Sequence, residues 1–109
     1  MTVIRITAEN FETIIDKNPL LLLLCGDSGC AERGEMLGEA VRELLFHHPA
    51  LSFAVMSPDE RTRIFPDEAH RTPCFYFLER GRILGVIAGP CARELRHFVN
   101  NHLQKTAVY

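Results

Sequence analysis

The chain of 109 residues is long enough to bury a hydrophobic core, and we expect one domain over residues 1–109. Its apolar share of 47%, charged share of 24% and formal net charge of −2 are ordinary for a globular protein and give no basic surface for nucleic acid or anionic lipid. The leucine run Leu20–Cys25 is far shorter than the roughly 20 residues of a transmembrane helix. We therefore expect neither nucleic acid nor a membrane among its partners.

In the first quarter of the chain, apolar spacing predicts a strand, a helix and a second strand. The first strand is predicted within residues 3–6, and Thr7 is placed to cap a helix that ends at Asn18-Pro19. The following run, Leu20–Cys25, is apolar on both faces, which is typical of a central parallel strand covered by helices on each side. This run is the predicted centre of the fold.

The middle of the chain continues the alternation of helices and strands. A glycine-containing turn leads into an amphipathic helix that ends at residues 47–49, His-His-Pro, and residues 51–55 alternate as in a strand. Ser57 is predicted as the N-cap of a short helix that reaches about Phe65, with Glu60 completing a capping box.

The last third predicts a hairpin followed by a helix. Two apolar segments between Thr72 and Gly89 flank a turn at Arg80-Gly81, so they should pair antiparallel. Pro90 is expected to begin the last helix, whose buried stripe would be Leu95, Phe98, Val99 and Leu103. The order β-α-β-α-β-α-β-β-α predicts an α/β fold, in which a central mixed sheet is flanked by helices on both faces.

The four cysteines are the main candidates for chemistry. Cys25 and Cys74 lie in apolar runs and are expected in the core as small hydrophobes, whereas Cys91 looks like a lone thiol. Cys30 stands at a helix start, where backbone N–H groups and the helix dipole lower a thiol pKa. A Cys30–Cys74 bridge is conceivable, although strand alternation favours Cys74 pointing into the core.

Neither metal nor cofactor is predicted from the sequence. There is no close cysteine pair of the C-x-x-C kind, and the histidines have no spacing that a metal requires. Residues 1–7 contain no long apolar run, so no secretory signal is indicated and we expect reduced thiols in the cytoplasm.

The element order and several short motifs together resemble the thioredoxin family, over nearly the whole chain. The matching pieces are the segment ITAENFETII from Ile6 with its Phe11, the apolar strand before Cys30, the Thr72-Pro73 pair, Gly81 and Gly89. The resemblance implies a thioredoxin fold, with Pro73 in the cis form and facing Cys30. It also implies a groove beside Pro73, in which the backbone of Thr72 pairs with an extended peptide.

Departures from the family pattern bear directly on function. Thioredoxins read W-C-G-P-C, whereas this chain reads Gly-Cys-Ala-Glu-Arg over residues 29–33. Cys30 thus takes the place of the attacking thiol, and Arg33 stands where the resolving cysteine belongs. The preceding aromatic is missing, and leucine replaces the buried acid of the preceding strand. Some thioredoxin-like accessory proteins of hydrogenase maturation, which this chain also resembles, lack the dithiol too.

Two functions follow from this degenerate active site. The first is a protein-binding or chaperone-like accessory role, with a protein or peptide partner beside Thr72 and Pro73. The second is a monothiol thiol-disulfide oxidoreductase, in which Cys30 forms a mixed disulfide with a protein or glutathione and Arg33 helps to lower the Cys30 pKa. Loss of the second cysteine favours the first role, and retention of Cys30 favours the second.

Overall fold

The computed structural model describes residues 3–26, 34–68 and 73–106. Within these ranges the elements are β1 (Ile4–Arg5), α1 (Phe11–Lys17), β2 (Leu20–Cys25), α2 (Gly34–His47), β3 (Leu51–Met56), α3 (Pro58–Ile64), β4 (Cys74–Glu79), β5 (Arg82–Ala88) and α4 (Ala92–Thr106). This order is the one that the apolar spacing predicts. None of the helices in the described ranges is both long and apolar enough to cross a bilayer.

The sheet is mixed and has the strand order β1-β3-β2-β4-β5. β2 pairs with β3 in parallel from Leu20↔Leu51 to Cys25↔Met56, and it pairs antiparallel with β4 along the same length. β5 closes one side as the second strand of the predicted hairpin. The central position of β2 explains its composition, because a strand with neighbours on both sides and helices on both faces has little surface left for water.

Alternation along β2 divides the core into two layers. Leu22 contacts the layer that α2 and α4 cover, where Ala40, Val41, Leu44, Leu95 and Val99 are buried. Leu21, Leu23 and Cys25 contact the other layer, which α1 and α3 cover with Phe11, Ile14, Ile64 and Phe65. The three leucines are fully buried, and burial of each stabilises the fold by about 1.5–3 kcal/mol. The predicted helices on both faces are therefore confirmed.

Two predicted helix starts are wrong, and side-chain hydrogen bonds explain both. α1 begins at Phe11, because Thr7 and Asn10 form a turn in which the Thr7 N–H donates to Asn10 Oδ1 at 2.7 Å. α4 begins at Ala92 and not at Pro90, because Glu94 Oε1 accepts from the Cys91 N–H at 3.0 Å. That bond makes Cys91 the first residue of a capping arrangement.

The start of α3 agrees with the sequence in one half of its capping box. Ser57 Oγ accepts from the Glu60 N–H at 3.2 Å, as predicted. Glu60 does not complete the box, since its carboxylate accepts from the Ala8 N–H at 2.7 Å instead. The carboxylate therefore ties α3 to the loop after β1. β1 is also shorter than predicted, because only Ile4–Arg5 is assigned to the strand.

A histidine of α4 packs over a glycine of β5. The His102 ring stacks on Phe77 with centroids 5.2 Å apart and meets Phe98 edge to face at 4.8 Å. A Cβ atom built on Gly85 would collide with His102 Nε2 and lie 3.1 Å from Phe98 Cε1. Burial, together with the charge of Lys105, lowers the pKa of His102.

Gly85→Ala should lower the free energy of unfolding by about 1–3 kcal/mol, because the added methyl overpacks this contact. Gly38→Ala on α2 is the matched control. Its Cβ would meet nothing within 4 Å, so the substitution should raise stability by about 0.5–1 kcal/mol through helix propensity. Urea unfolding of both variants measures whether each substitution raises or lowers the free energy of unfolding. Equal changes in the two variants would contradict the packing described.

Stability should fall as the pH drops through about 6.5, the ordinary histidine pKa, because the unfolded chain then binds a proton at His102 more readily than the folded one does. Urea midpoints recorded between about pH 7.5 and pH 5.5 test this for wild type and His102→Gln. The variant should show the shallower fall, and identical slopes would contradict it.

Candidate functional site

Two thiols meet where β2 ends and β4 begins. Cys25 and Cys74 are direct partners in the antiparallel register of these strands. Both side chains are fully buried, in the core layer that α1 and α3 cover. The predicted core position of Cys74 is therefore confirmed. The sequence does not reveal that Cys25 lies directly opposite it.

An arginine from α3 reaches this thiol pair. Arg61 Nη1 donates to Cys74 Sγ at 3.7 Å and to Tyr76 Oη at 3.4 Å. Tyr76 is fully buried and follows Cys74 by two residues, so both point to the same face of the sheet. We call Cys25, Cys74, Tyr76 and Arg61 the thiol cluster.

Helix α3 is held so that Arg61 faces the sheet. The Arg61 N–H donates to the Ser57 carbonyl at 3.0 Å, and the Arg61 carbonyl accepts from the Phe65 N–H at 2.7 Å. The Phe65 ring stacks on Tyr76 with centroids 6.2 Å apart and meets Phe11 edge to face at 5.4 Å. These aromatic contacts fix the end of α3 against the same layer of the core.

The thiol cluster favours a thiolate at Cys74. The hydrogen bond from Cys25 lowers the pKa of Cys74 to about 6, helped by Tyr76 and by the positive charge of Arg61, against the opposing effect of burial. Burial, with the neighbouring Cys74, raises the pKa of Tyr76, so the phenol stays protonated as a donor. A lowered pKa raises the share of Cys74 that is thiolate near neutral pH.

Of the four site residues that the family resemblance indicates, the structure describes one, Pro73. Cys30, Arg33 and Thr72 lie outside the described residues, and their roles stay predictions. Pro73 is half-buried, and its carbonyl accepts from the Gly89 N–H at 2.8 Å. The cis form of the peptide bond between Thr72 and Pro73 stays a prediction as well.

Gly89 is exposed at the end of β5 and joins Pro73 in one surface. Its φ of +56° lies in the left-handed region, and a Cβ atom there would meet nothing within 4 Å. The hydrogen bond to Pro73 holds the loop after β5 against the residue before β4. We call this pair of residues the Pro73–Gly89 surface.

Sequence reasoning missed Arg61 and Tyr76. A signal for Arg61 exists in the spacing, since Ile64 and Phe65 follow it at i+3 and i+4 and both pack against the core. An arginine at the start of such an apolar stripe faces the same core layer. Across the described ranges, no group of three or more histidine, cysteine, aspartate or glutamate side chains is arranged to hold a metal ion.

Comparisons with known proteins support the fold and do not reach the function. No protein-family model matches the sequence, and no curated protein matches it. Among solved structures, thioredoxin f2 of Chlamydomonas reinhardtii superposes with a TM-score of 0.73 at 11% identity, over 93% of this chain and 96% of that one. A poplar thioredoxin h mutant gives 0.73 at 23% identity, over 94% and 83%. Thioredoxin of Trypanosoma brucei brucei gives 0.70 at 17%, over 94% and 92%.

The chain is thus an α/β protein in which a mixed five-strand sheet lies between two pairs of helices. More particularly, it has the thioredoxin fold. These three neighbours are thioredoxins by name, and at these identities they share the fold with this chain.

Arg61→Gln should raise the pKa of Cys74, and Cys25→Ala should raise it further, because the bond from Cys25 is the largest of the effects that lower it. The pH dependence of the Cys74 ¹³Cβ chemical shift, recorded in Cys30→Ser/Cys91→Ser protein, measures this pKa. Arg63→Gln on the same helix is the matched control, since the Arg63 side chain is 65% exposed. A pKa unmoved by Arg61→Gln would contradict the proposed role of its charge.

Proposed function

We propose that this protein is a thioredoxin-fold accessory protein of the cytoplasm that binds an extended segment of a protein partner in a chaperone-like manner. The observation that carries the proposal is the Pro73–Gly89 surface. There the hydrogen bond of 2.8 Å brings together the residue before β4 and the exposed loop after β5. The family resemblance implies a peptide groove beside Pro73, which supports this proposal.

The backbone at Gly89 supports close approach by another chain. Its side chain position is open, so a partner's backbone could come as near as van der Waals contact allows. Thr72, which precedes Pro73 in the sequence, is the residue whose backbone would pair with the partner by strand addition, as the family resemblance implies. Binding of this kind draws on main-chain hydrogen bonds and needs no chemistry at a thiol.

The distribution of thiols also supports binding over a dithiol cycle. Arg33 stands in place of a resolving cysteine. Cys25 and Cys74 are fully buried, so neither presents sulfur to a folded partner, and Cys91 is exposed at the start of α4. Exchange at the position of the family's attacking thiol would therefore use Cys30 without a resolving cysteine and would need an outside thiol for release.

A monothiol oxidoreductase acting through Cys30 is the second candidate. In that reaction the Cys30 thiolate attacks a disulfide of a protein or of oxidised glutathione, one sulfur leaves as a thiolate, and a mixed disulfide remains. Its support is the retention of a cysteine where the family carries its nucleophile.

Gly89→Asn separates the two candidates. Asparagine tolerates the left-handed backbone, so this change adds a side chain to the Pro73–Gly89 surface at the least backbone cost. Partners identified by capture from lysate on wild-type protein are purified and titrated by calorimetry. Binding should weaken about tenfold or more for Gly89→Asn, a loss of at least about 1.4 kcal/mol, and stay unchanged for Gly38→Ala and Cys30→Ser.

The contrary result is partner capture that disappears with Cys30→Ser and is released by dithiothreitol. Alkylation of Cys30 by iodoacetamide as a function of pH provides a second readout. A Cys30 pKa below roughly 7, with a glutathione adduct, would establish the oxidoreductase, whereas a value near 8.5 without adduct would leave the binding role.

A further inference from the structure

The thiol cluster has the geometry of a latent disulfide. Directly opposed residues of antiparallel strands have Cα atoms about 4.5 or 5.5 Å apart, and both separations lie within the range that disulfides span. Cys25 and Cys74 are such a pair. Both side chains also lie in the same core layer, so the two sulfurs are on the same face of the sheet.

Burial of this pair selects the oxidant. Both cysteines are fully buried, so the sulfur of a folded partner cannot line up with either one for exchange. Arg61 is half-buried and its side chain runs from α3 to Cys74, so an oxidant that reaches Cys74 beside it has to be small. The oxidant that suits this site is therefore a small hydroperoxide.

The cluster also assigns different roles to the two sulfurs. Arg61 Nη1 donates to Cys74 Sγ at 3.7 Å, and the positive charge of the guanidinium favours the Cys74 thiolate. Cys25 lies directly opposite Cys74 in the strand register, so it is placed to attack an oxidised Cys74. Cys74 is thus placed to attack the oxidant, and Cys25 is placed to form a disulfide with the oxidised Cys74.

We propose that Cys25 and Cys74 form a peroxide-sensing dithiol, in which Cys74 is the peroxidatic sulfur, Cys25 the resolving sulfur and Arg61 the residue that positions and charges Cys74. The proposed chemistry uses neither Cys30 nor the Pro73–Gly89 surface, so it stands whether or not the protein binds a partner there.

The chemistry balances over two steps. The Cys74 thiolate attacks one oxygen of hydrogen peroxide, the O–O bond breaks, and hydroxide leaves as Cys74 becomes a sulfenic acid. Cys25 then attacks the Cys74 sulfur, the S–O bond breaks, and hydroxide takes the Cys25 proton to leave as water. Peroxide is reduced by two electrons and the pair is oxidised to a disulfide. A small dithiol such as dithiothreitol restores both thiols.

Oxidation would join the last residue of β2 to the first residue of β4. Cys25 is followed by the segment that carries Cys30, and Cys74 is preceded by Thr72 and Pro73. The disulfide would therefore link the residue from which the Cys30 segment continues to the residue that directly follows the predicted partner-binding pair, Thr72 and Pro73.

The test uses Cys30→Ser/Cys91→Ser protein, in which Cys25 and Cys74 are the only thiols left. Treatment with equimolar hydrogen peroxide should lower the intact mass by two hydrogens, yield a linked Cys25–Cys74 peptide on digestion, and be reversed by dithiothreitol. Arg61→Gln in this background should slow disulfide formation when the rate is measured at about pH 5, below the Cys74 pKa, because there a rise of about one unit in that pKa removes about nine-tenths of the thiolate. Arg63→Gln should leave the rate unchanged.

Arg61→Lys keeps the positive charge and covers the case in which Arg61→Gln fails to fold, as judged by circular dichroism. It should react faster than Arg61→Gln or, if that variant is unfolded, within a few-fold of the parent. Three results would overturn the proposal: conversion of Cys74 to sulfinic or sulfonic acid without loss of the Cys25 thiol, disulfide-linked dimers in place of the internal bond, or a rate that Arg61 does not affect.

Discussion

The pairing of β2 with β3 on one side and with β4 on the other is the constraint on which the rest of the structure depends. It requires a strand that is apolar on both faces, and it sets the two core layers that the helices cover. The same register places Cys25, the last residue of β2, opposite Cys74, the first residue of β4. A shift by one residue would turn every side chain of β2 to the other face and separate these thiols.

Within an otherwise apolar layer, the thiol cluster is the main polar feature near the sheet edge. A guanidinium that leaves water has to recover hydrogen bonds and charge, and Arg61 finds a phenol oxygen and a sulfur. The charge that it brings makes the thiolate of Cys74 the better partner, while burial keeps Tyr76 protonated. The same hydrogen bonds of Arg61 therefore hold α3 against the sheet and help to lower the pKa of Cys74.

The sequence predicts the elements that periodicity controls and misses those that distant contacts control. The β2 run, the hairpin and the helices on both faces follow from apolar spacing alone. The starts of α1 and α4 depend on hydrogen bonds that the side chains of Asn10 and Glu94 accept. Several backbone N–H groups lie near each side chain, and the sequence does not show which of them donates. Glu60 satisfies an N–H group 52 residues away, which no local pattern contains. Arg61 meets Cys74 only because α3 packs beside the start of β4.

The most direct test of this account is a nuclear Overhauser spectrum of the reduced protein with labelled cysteine and arginine. The account predicts cross-peaks between the protons of Cys25 and Cys74, together with cross-peaks from the Arg61 guanidinium to the Tyr76 ring. Cross-peaks that pair Cys74 with Leu24 as its opposite residue, or an Arg61 side chain that contacts neither Cys74 nor Tyr76, would contradict it.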